Sequence, residues 1–218
     1  MKPSRTHPLR ARGVEDPRRG RGLARGLAFG LALGLALPAL AQTAVPSFEL
    51  DRDPSKLVLS FDEEVGAIAR PDPIPLLRIY ADGLAKVHVP AYMRGSGDYR
   101  LRLDPLRLRT LVRELLSAGV MDLDDRQVRR HRRRLGTRRD AAGLPRRRTD
   151  PATVRIELRL ARLAGRPAVR HVLRWPGLRG DARDFPSDVR VRDVKRGVDA
   201  LWRICHDPRL QRDPSPSR

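Results

Sequence analysis

Apolar residues recur in two rhythms along this chain, at every second position in some stretches and every third or fourth in others. The changes of rhythm mark its elements. Residues 56–61 alternate, with Leu57, Leu59 and Phe61 on one side, as a half-buried strand requires. Residues 76–89 hold the clearest hairpin, with the turn pair Asp82-Gly83 between two alternating runs. A two-residue loop would set Ile79 against Lys86 and Leu77 against His88. A three-residue loop, Ala81-Asp82-Gly83, sets Ile79 against Ala85 and Leu77 against Val87. Only the second register gathers apolar residues on one face, so it predicts a three-residue loop with a left-handed Gly83. Arg78, Tyr80, Lys86 and His88 then share the opposite face. Tyr99, Leu101 and Leu103 alternate with Arg100 and Arg102 as a further strand.

Helical rhythm follows. Asp104 is suited to an N-cap and Pro105 to the first helical position. Leu108, Leu111, Val112, Leu115 and Leu116 form one apolar stripe, and Gly119 stands just past the end. Residues 153–160 return to alternation: Val154, Ile156, Leu158 and Leu160 face in, Arg155, Glu157 and Arg159 face out. Ala164-Gly165 turns the chain and residues 168–175 pair back. Residues 180–186 read as a loop. Residues 193–206 form a second stripe, Val194, Val198, Leu201, Trp202 and Cys205, which makes Cys205 a buried small hydrophobe.

This order predicts an α+β fold: a mostly antiparallel sheet of about five strands with two main helices on one face, plus a basic helix/loop insertion. The single domain spans 56–206. A Pro-containing linker, 42–55, precedes it, and a Pro/Ser-rich flexible tail, 207–218, follows. The insertion is the anomaly. Residues 126–148 carry 11 Arg. Such a block repels itself and is expected to bury no face. Residues 126–135 are a helical attempt, 136–151 a disordered loop, and 126–151 together a partly disordered insertion.

The N-terminal stretch changes the setting. Arg18, Arg19, Arg21 and Arg25 precede an apolar run, 26–37, that exits through Pro38-Ala39-Leu40-Ala41. Basic flank, short apolar core and small-residue exit are the parts of a secretory signal peptide, read here as residues 1–41. The run is shorter than the roughly 20 residues a membrane span needs, so no span is expected after cleavage. The expected location is periplasmic or secreted. With Cys205 as the one cysteine, no internal disulfide can form.

Of 46 basic residues only Lys2, Lys56, Lys86 and Lys195 are lysine; the other 42 are Arg, and the formal charge is +20. Codon bias in a GC-rich genome accounts for Arg together with abundant Ala, Gly, Leu and Pro. Selection for anion binding is the competing cause, since the planar guanidinium grips phosphate or carboxylate with two bonds. Either origin yields a surface that attracts polyanions.

The hairpin Leu77-x-Ile79-x-x-Asp82-Gly83, the helix opening Leu103-Asp104-Pro105, the core positions Leu111, Leu115 and Leu116, and the run Ala118-Gly119-Val120 with Leu123 form a recognisable set. This stretch, about a quarter of the chain, resembles small exported bacterial α+β domains of the emfourin type, which include inhibitors of thermolysin-like metalloproteases such as protealysin. The shared positions are turns, caps and core. The resemblance therefore implies a fold and a protein-binding role, and carries over no inhibitory residue. The Arg-rich insertion and the Pro-rich lead-in at 70–75 depart from a minimal inhibitor.

No G-x-S-x-G, H-E-x-x-H, phosphate loop or paired C-x-x-C occurs, and no cofactor is implied. His88, His131, His171 and His206 have no metal-ligand spacing; Asp62-Glu63-Glu64 reads as a cation site or as balance for nearby Arg, and Asp181 and Asp184 as an acid pair with Asp188 or as a helix approach or N-cap. Three readings follow. The first is a non-enzymatic exported domain that binds another envelope or secreted protein, with Tyr92, Met93 and Tyr99 as contacts. The second is binding of a polyanion, such as lipopolysaccharide, acidic polysaccharide or extracellular DNA. Its actors would be Arg129, Arg130, Arg132, Arg133, Arg134, Arg138, Arg139, Arg146, Arg147 and Arg148, together with the Arg-bearing sheet face. Sequence-specific nucleic-acid reading is not expected, since recognition motifs and stacking aromatics are lacking. The third is an unrecognised hydrolase using His171 or the Asp181/Asp184 segment.

Overall fold

Alternation and cross-strand pairing build one antiparallel sheet, and the helices are laid on one of its faces. The computed structural model describes residues 45–64, 74–144 and 151–214. The leader read at 1–41 lies outside the described residues, as do Arg146, Arg147 and Arg148. The strands are β1 (Phe48–Glu49), β2 (Leu57–Glu64), β3 (Leu77–Tyr80), β4 (Leu84–Val89), β5 (Gly97–Arg102), β6 (Thr153–Leu163), β7 (Arg166–Pro176) and β8 (Gln211–Arg212). The helices are α1 (Pro105–Ser117), α2 (Asp125–Ala141), α3 (Leu178–Asp184) and α4 (Val189–Cys205), with a 3-10 turn at Val120–Asp122.

The α+β class with an antiparallel sheet holds, but eight strands stand among the described residues where about five were expected. Two of the extra strands are short edge pieces that the reading assigned to linker and tail. In β1, Phe48 pairs with Leu163 and Glu49 with Arg162. In β8, Gln211 pairs with Arg100 and Arg212 with Tyr99. Val45, Phe48 and Leu50 pack on the core, and Asp207 is buried where Arg107 Nη2 donates to it at 2.6 Å. The described parts of both segments, 45–55 and 207–214, are thus tied into the domain. Strand β6 pairs with β2 on one flank and with β7 on the other, and β1 continues the β2 flank. From β2 the order runs on through β3, β4, β5 and β8.

The predicted hairpin register is the one found: Leu77 opposes Val87 and Ile79 opposes Ala85. Gly83 has φ 84°, and a Cβ there would stand 2.2 Å from the Leu103 carbonyl oxygen. The same contact is productive for glycine, since Leu103 N–H donates to the Gly83 carbonyl at 2.9 Å.

Phe61, Leu77, Ile79, Val87, Ile156, Leu158, Leu173 and Trp175 form the inner sheet face. Helix α4 covers it, with Trp202 edge-on to Phe61 at 5.6 Å. Helix α1 opens as expected, with Asp104 accepting from Arg107 N–H at 2.8 Å. It lies close against α4, where a Cβ on Gly197 would approach Ala118 Cβ to 3.2 Å. Cys205 is buried as expected, and burial pushes its thiol up to about 12.

Two expectations are overturned. The segment 180–186 is not a loop: helix α3 runs through Leu178–Asp184. Residues 136–141 are not a disordered loop, since α2 is a 17-residue helix that buries Val128 and Leu135. Self-repulsion does not unfold the block because the fold brings the carboxylates of Asp181, Asp184 and Asp188 against it.

Candidate functional site

Helix α2 begins with a complete capping box. Asp124 Oδ1 accepts from Gln127 N–H at 2.6 Å, and Gln127 Oε1 accepts from Asp124 N–H at 2.8 Å. Asp125 in the first turn and Arg138 and Arg139 in the last match the helix dipole. Two apolar anchors are few for a helix of this length, and ionic bonds supply the rest. Arg132 Nε donates to Asp181 Oδ2 at 3.2 Å, and Arg139 Nη2 to Asp184 Oδ2 at 2.7 Å with Asp181 Oδ1 at 3.5 Å. Arg138 Nη1 donates to Asp188 Oδ2 at 3.2 Å, while His131 Nε2 lies 3.1 Å from Asp188 Oδ1. The guanidiniums of Arg138 and Arg139 also cover the Phe185 ring, at 5.1 and 5.4 Å.

The acidic trio is thereby accounted for. Asp181 is 3% exposed and also accepts from Trp175 Nε1 at 3.0 Å. Asp188 is the N-cap of α4 and accepts from Val191 N–H at 3.2 Å. His171 Nε2 sits 3.0 Å from the Leu123 carbonyl oxygen. Each residue named for the hydrolase reading is engaged by the protein itself. Asp62 and Glu63 point to opposite sides of β2, and Glu63 Oε2 accepts from Arg179 Nη2 at 2.6 Å. Among the described residues no group of three or more His, Cys, Asp or Glu is placed to hold a metal ion.

The inward arginines of α2 are therefore Arg132, Arg138 and Arg139. The outward ones are Arg126, Arg129, Arg130, Arg133 and Arg134, all exposed, and among the described residues no ion pair engages them. The ten arginines read together from sequence thus divide into a docking set, an outward set, and Arg146–148 outside the described residues.

The second surface lies around α4. Lys195, Val198, Asp199, Trp202 and His206 follow one another at helical spacing and line a groove of about 470 Å³ with Met93 and Arg179. Trp202 is its floor: His206 stacks on it at 5.1 Å and the Arg179 guanidinium lies 5.4 Å from its ring. The charges beside it are matched in pairs, Lys195 with Asp199 and Arg179 with Glu63. Met93 (43% exposed) joins the groove, and Tyr92 beside it is 53% exposed. Tyr99 does not join them. It is half-buried, and its hydroxyl donates to the Gly95 carbonyl at 2.8 Å, closing the loop that carries the other two. Sequence alone does not single out Trp202 as a groove residue, because its stripe position marks it as core; only the neighbouring loop shows that part of its ring is left uncovered.

The outward sheet face is not a bare field of arginine. Glu157 sits in its middle, 3% exposed, and takes hydrogen bonds from Arg155, Arg159 and Arg170. Burial alone would raise its carboxyl, but the bonds from Arg170 and Arg159 outweigh burial and hold it down to about 2.

Neither the family models, nor the curated proteins, nor the solved structures yield a match to this chain.

Proposed function

We propose that this chain is an exported, non-enzymatic α+β domain that binds another envelope or secreted protein through the groove floored by Trp202. The observation that carries the reading is an exposed Met93 lining a groove with an aromatic floor whose neighbouring charges are already matched, with exposed Tyr92 next to it in the chain. An interface centre of aromatic and Met side chains with few unpaired charges is what a specific protein contact uses. The leader at 1–41 and the emfourin-type resemblance at 76–123 support the same reading. Truncating an anchor of this kind costs about 2 kcal/mol of binding, roughly thirtyfold in affinity.

The test is site-specific photo-crosslinking from position 93 in the native envelope, with position 106 as an exposed apolar control. A discrete adduct from position 93 that Tyr92→Ser weakens, and that survives moderate salt, is the expected result. Absence of a discrete adduct, or equal adducts from both positions, rejects the groove.

A second reading has its own observation. The five outward arginines of α2 stand on an ordered helix. We propose that they attract a polyanion, with log affinity falling by about 0.9 per neutralised phosphate for each decade of salt. Heparin elution of a variant with all five changed to Gln tests it. Deleting 126–148 would not, because that removes Val128 and Leu135 from the core. Unchanged elution rejects the reading.

A further inference from the structure

Strands β6 and β7 pair so that Arg159 faces Arg170, Glu157 faces Val172, and Arg155 faces Arg174, all on the face away from the helices. Glu157 Oε1 accepts from Arg159 Nε at 2.7 Å and from Arg170 Nε at 2.8 Å, while Oε2 accepts from Arg155 Nη2 at 2.9 Å. Two guanidiniums thus share one buried oxygen from adjacent strands. Arg159 Nη2 also lies 2.7 Å from Oε1, and the two side chains remain 46% and 62% exposed, which leaves the far edge of each guanidinium toward solvent. Toward the other end, Asp62 lies opposite Arg155 and Asp125 lies 3.5 Å from Arg174, so the charge there is largely offset. At the open end, Arg159 and Arg170 share Glu157 as their ion-pair partner among the described residues.

We propose that this open end is an anion site in which Glu157 acts as the template and Arg159 and Arg170 together clamp a phosphate group. The template matters because a guanidinium already held by its Nε needs little further ordering to bind. The ligand class follows from shape and charge. A carboxylate has two coplanar oxygens and satisfies one fork. A tetrahedral phosphate monoester has three free oxygens and a charge of about −1.5 to −2 at neutral pH, and can bridge two forks at once. The phosphate can belong to a soluble polyanion or to a lipid headgroup. The inference sharpens the polyanion reading but uses a different set of residues, so the two can fail separately.

The experiment titrates the whole chain with tripolyphosphate, and separately with phosphatidylcholine vesicles carrying phosphatidic acid, while the Arg Nε resonances are followed. The expected result is selective movement of the Arg159 and Arg170 signals. Affinity should fall about tenfold in Arg159→Gln and again in Arg170→Gln, each checked for native fold by circular dichroism. Arg113→Gln, an exposed change on helix α1, should bind within about twofold of wild type, and the variant of the five outward α2 arginines, made in parallel, reports any binding at α2. Tripolyphosphate binding alone assigns a soluble ligand and vesicle binding alone a headgroup; either supports the site. Sulfate binding as tight as phosphate at neutral pH would overturn the phosphate assignment. Binding lost only in the α2 variant, or unchanged in both sheet variants, or absent with both probes, would overturn the site itself.

Discussion

Asp181→Ala is the sharpest test of why α2 is ordered. Asp181 is buried and holds three groups: the Trp175 indole N–H at 3.0 Å, Arg132 Nε at 3.2 Å and Arg139 Nη2 at 3.5 Å. Truncation leaves the indole N–H buried without an acceptor, which costs about 1–2 kcal/mol. Arg139 keeps Asp184, and Arg132 is exposed enough to rehydrate, so their loss adds about 1 kcal/mol rather than the full penalty of a stranded buried charge. The total is about 2–3 kcal/mol, a large share of the ~5–15 kcal/mol that holds a domain folded. Asp181→Asn keeps an acceptor for the indole and should cost about half as much. Urea unfolding gives the global number, and amide exchange shows where it falls. The α2 amides around 131–139 should lose protection before those of β6. A loss below about 0.5 kcal/mol, or unchanged α2 protection, would show that Val128 and Leu135 hold the helix alone.

Glu157 makes stability depend on acid. Its folded carboxyl is held down to about 2, so its contribution is present above the unfolded value near 4.5 and is lost as pH falls from about 5 to 2. After discounting for the exposed arginines, the contribution is about 2 kcal/mol. The gap in urea midpoint between wild type and Glu157→Gln should close over that window, and a constant gap would contradict the assignment. Gly83→Ala should cost about 3 kcal/mol, from a left-handed φ and a Cβ 2.2 Å from a carbonyl oxygen; a loss under about 1 kcal/mol in the same assay would show that the turn can relax. The Cys205 thiol, pushed up to about 12, should resist maleimide at neutral pH until urea unfolds the chain; labelling of the native protein would mean the α4 end opens.

The parts of the fold that were legible depend on neighbours in sequence. The register of β3 with β4 followed from asking which loop length puts Ile79 and Ala85 together, and the start of α1 from Asp104 and Pro105. The buried face of β6 followed from its alternation. Elements that depend on distant partners were not legible. Helix α3 has few residues and its burial is set by β7 and α4. Edge strands β1 and β8 are two residues each, too short for a period to show. The exposure of Tyr92 and Met93 was legible because large apolar residues in a loop stand out, whereas Trp202 looked like any other core position. Glu157 was legible as an outward residue, but its role needed β7 alongside to bring Arg170 opposite Arg159.

The arginine excess of α2 divides in a way that composition alone cannot explain. Codon bias places Arg without regard to position. Yet the inward arginines meet acceptors on α3 and at the cap of α4: Arg132 with Asp181, Arg138 with Asp188, Arg139 with Asp184. Lysine substitution separates selected geometry from drift, because it keeps the charge and removes the fork. Arg139 uses Nε and Nη2 on Asp184 at 3.2 and 2.7 Å, with Nη2 also near Asp181. A single ammonium cannot reproduce that pattern, so Arg139→Lys should cost about 1–2 kcal/mol. Arg130→Lys, on the outward side, should fall within about 0.5 kcal/mol of wild type. Equal costs in urea unfolding would mean that α2 is held by net charge and not by the fitted bonds. Unequal costs in the stated order would identify the inward arginines as structural and leave the outward ones free to meet a ligand.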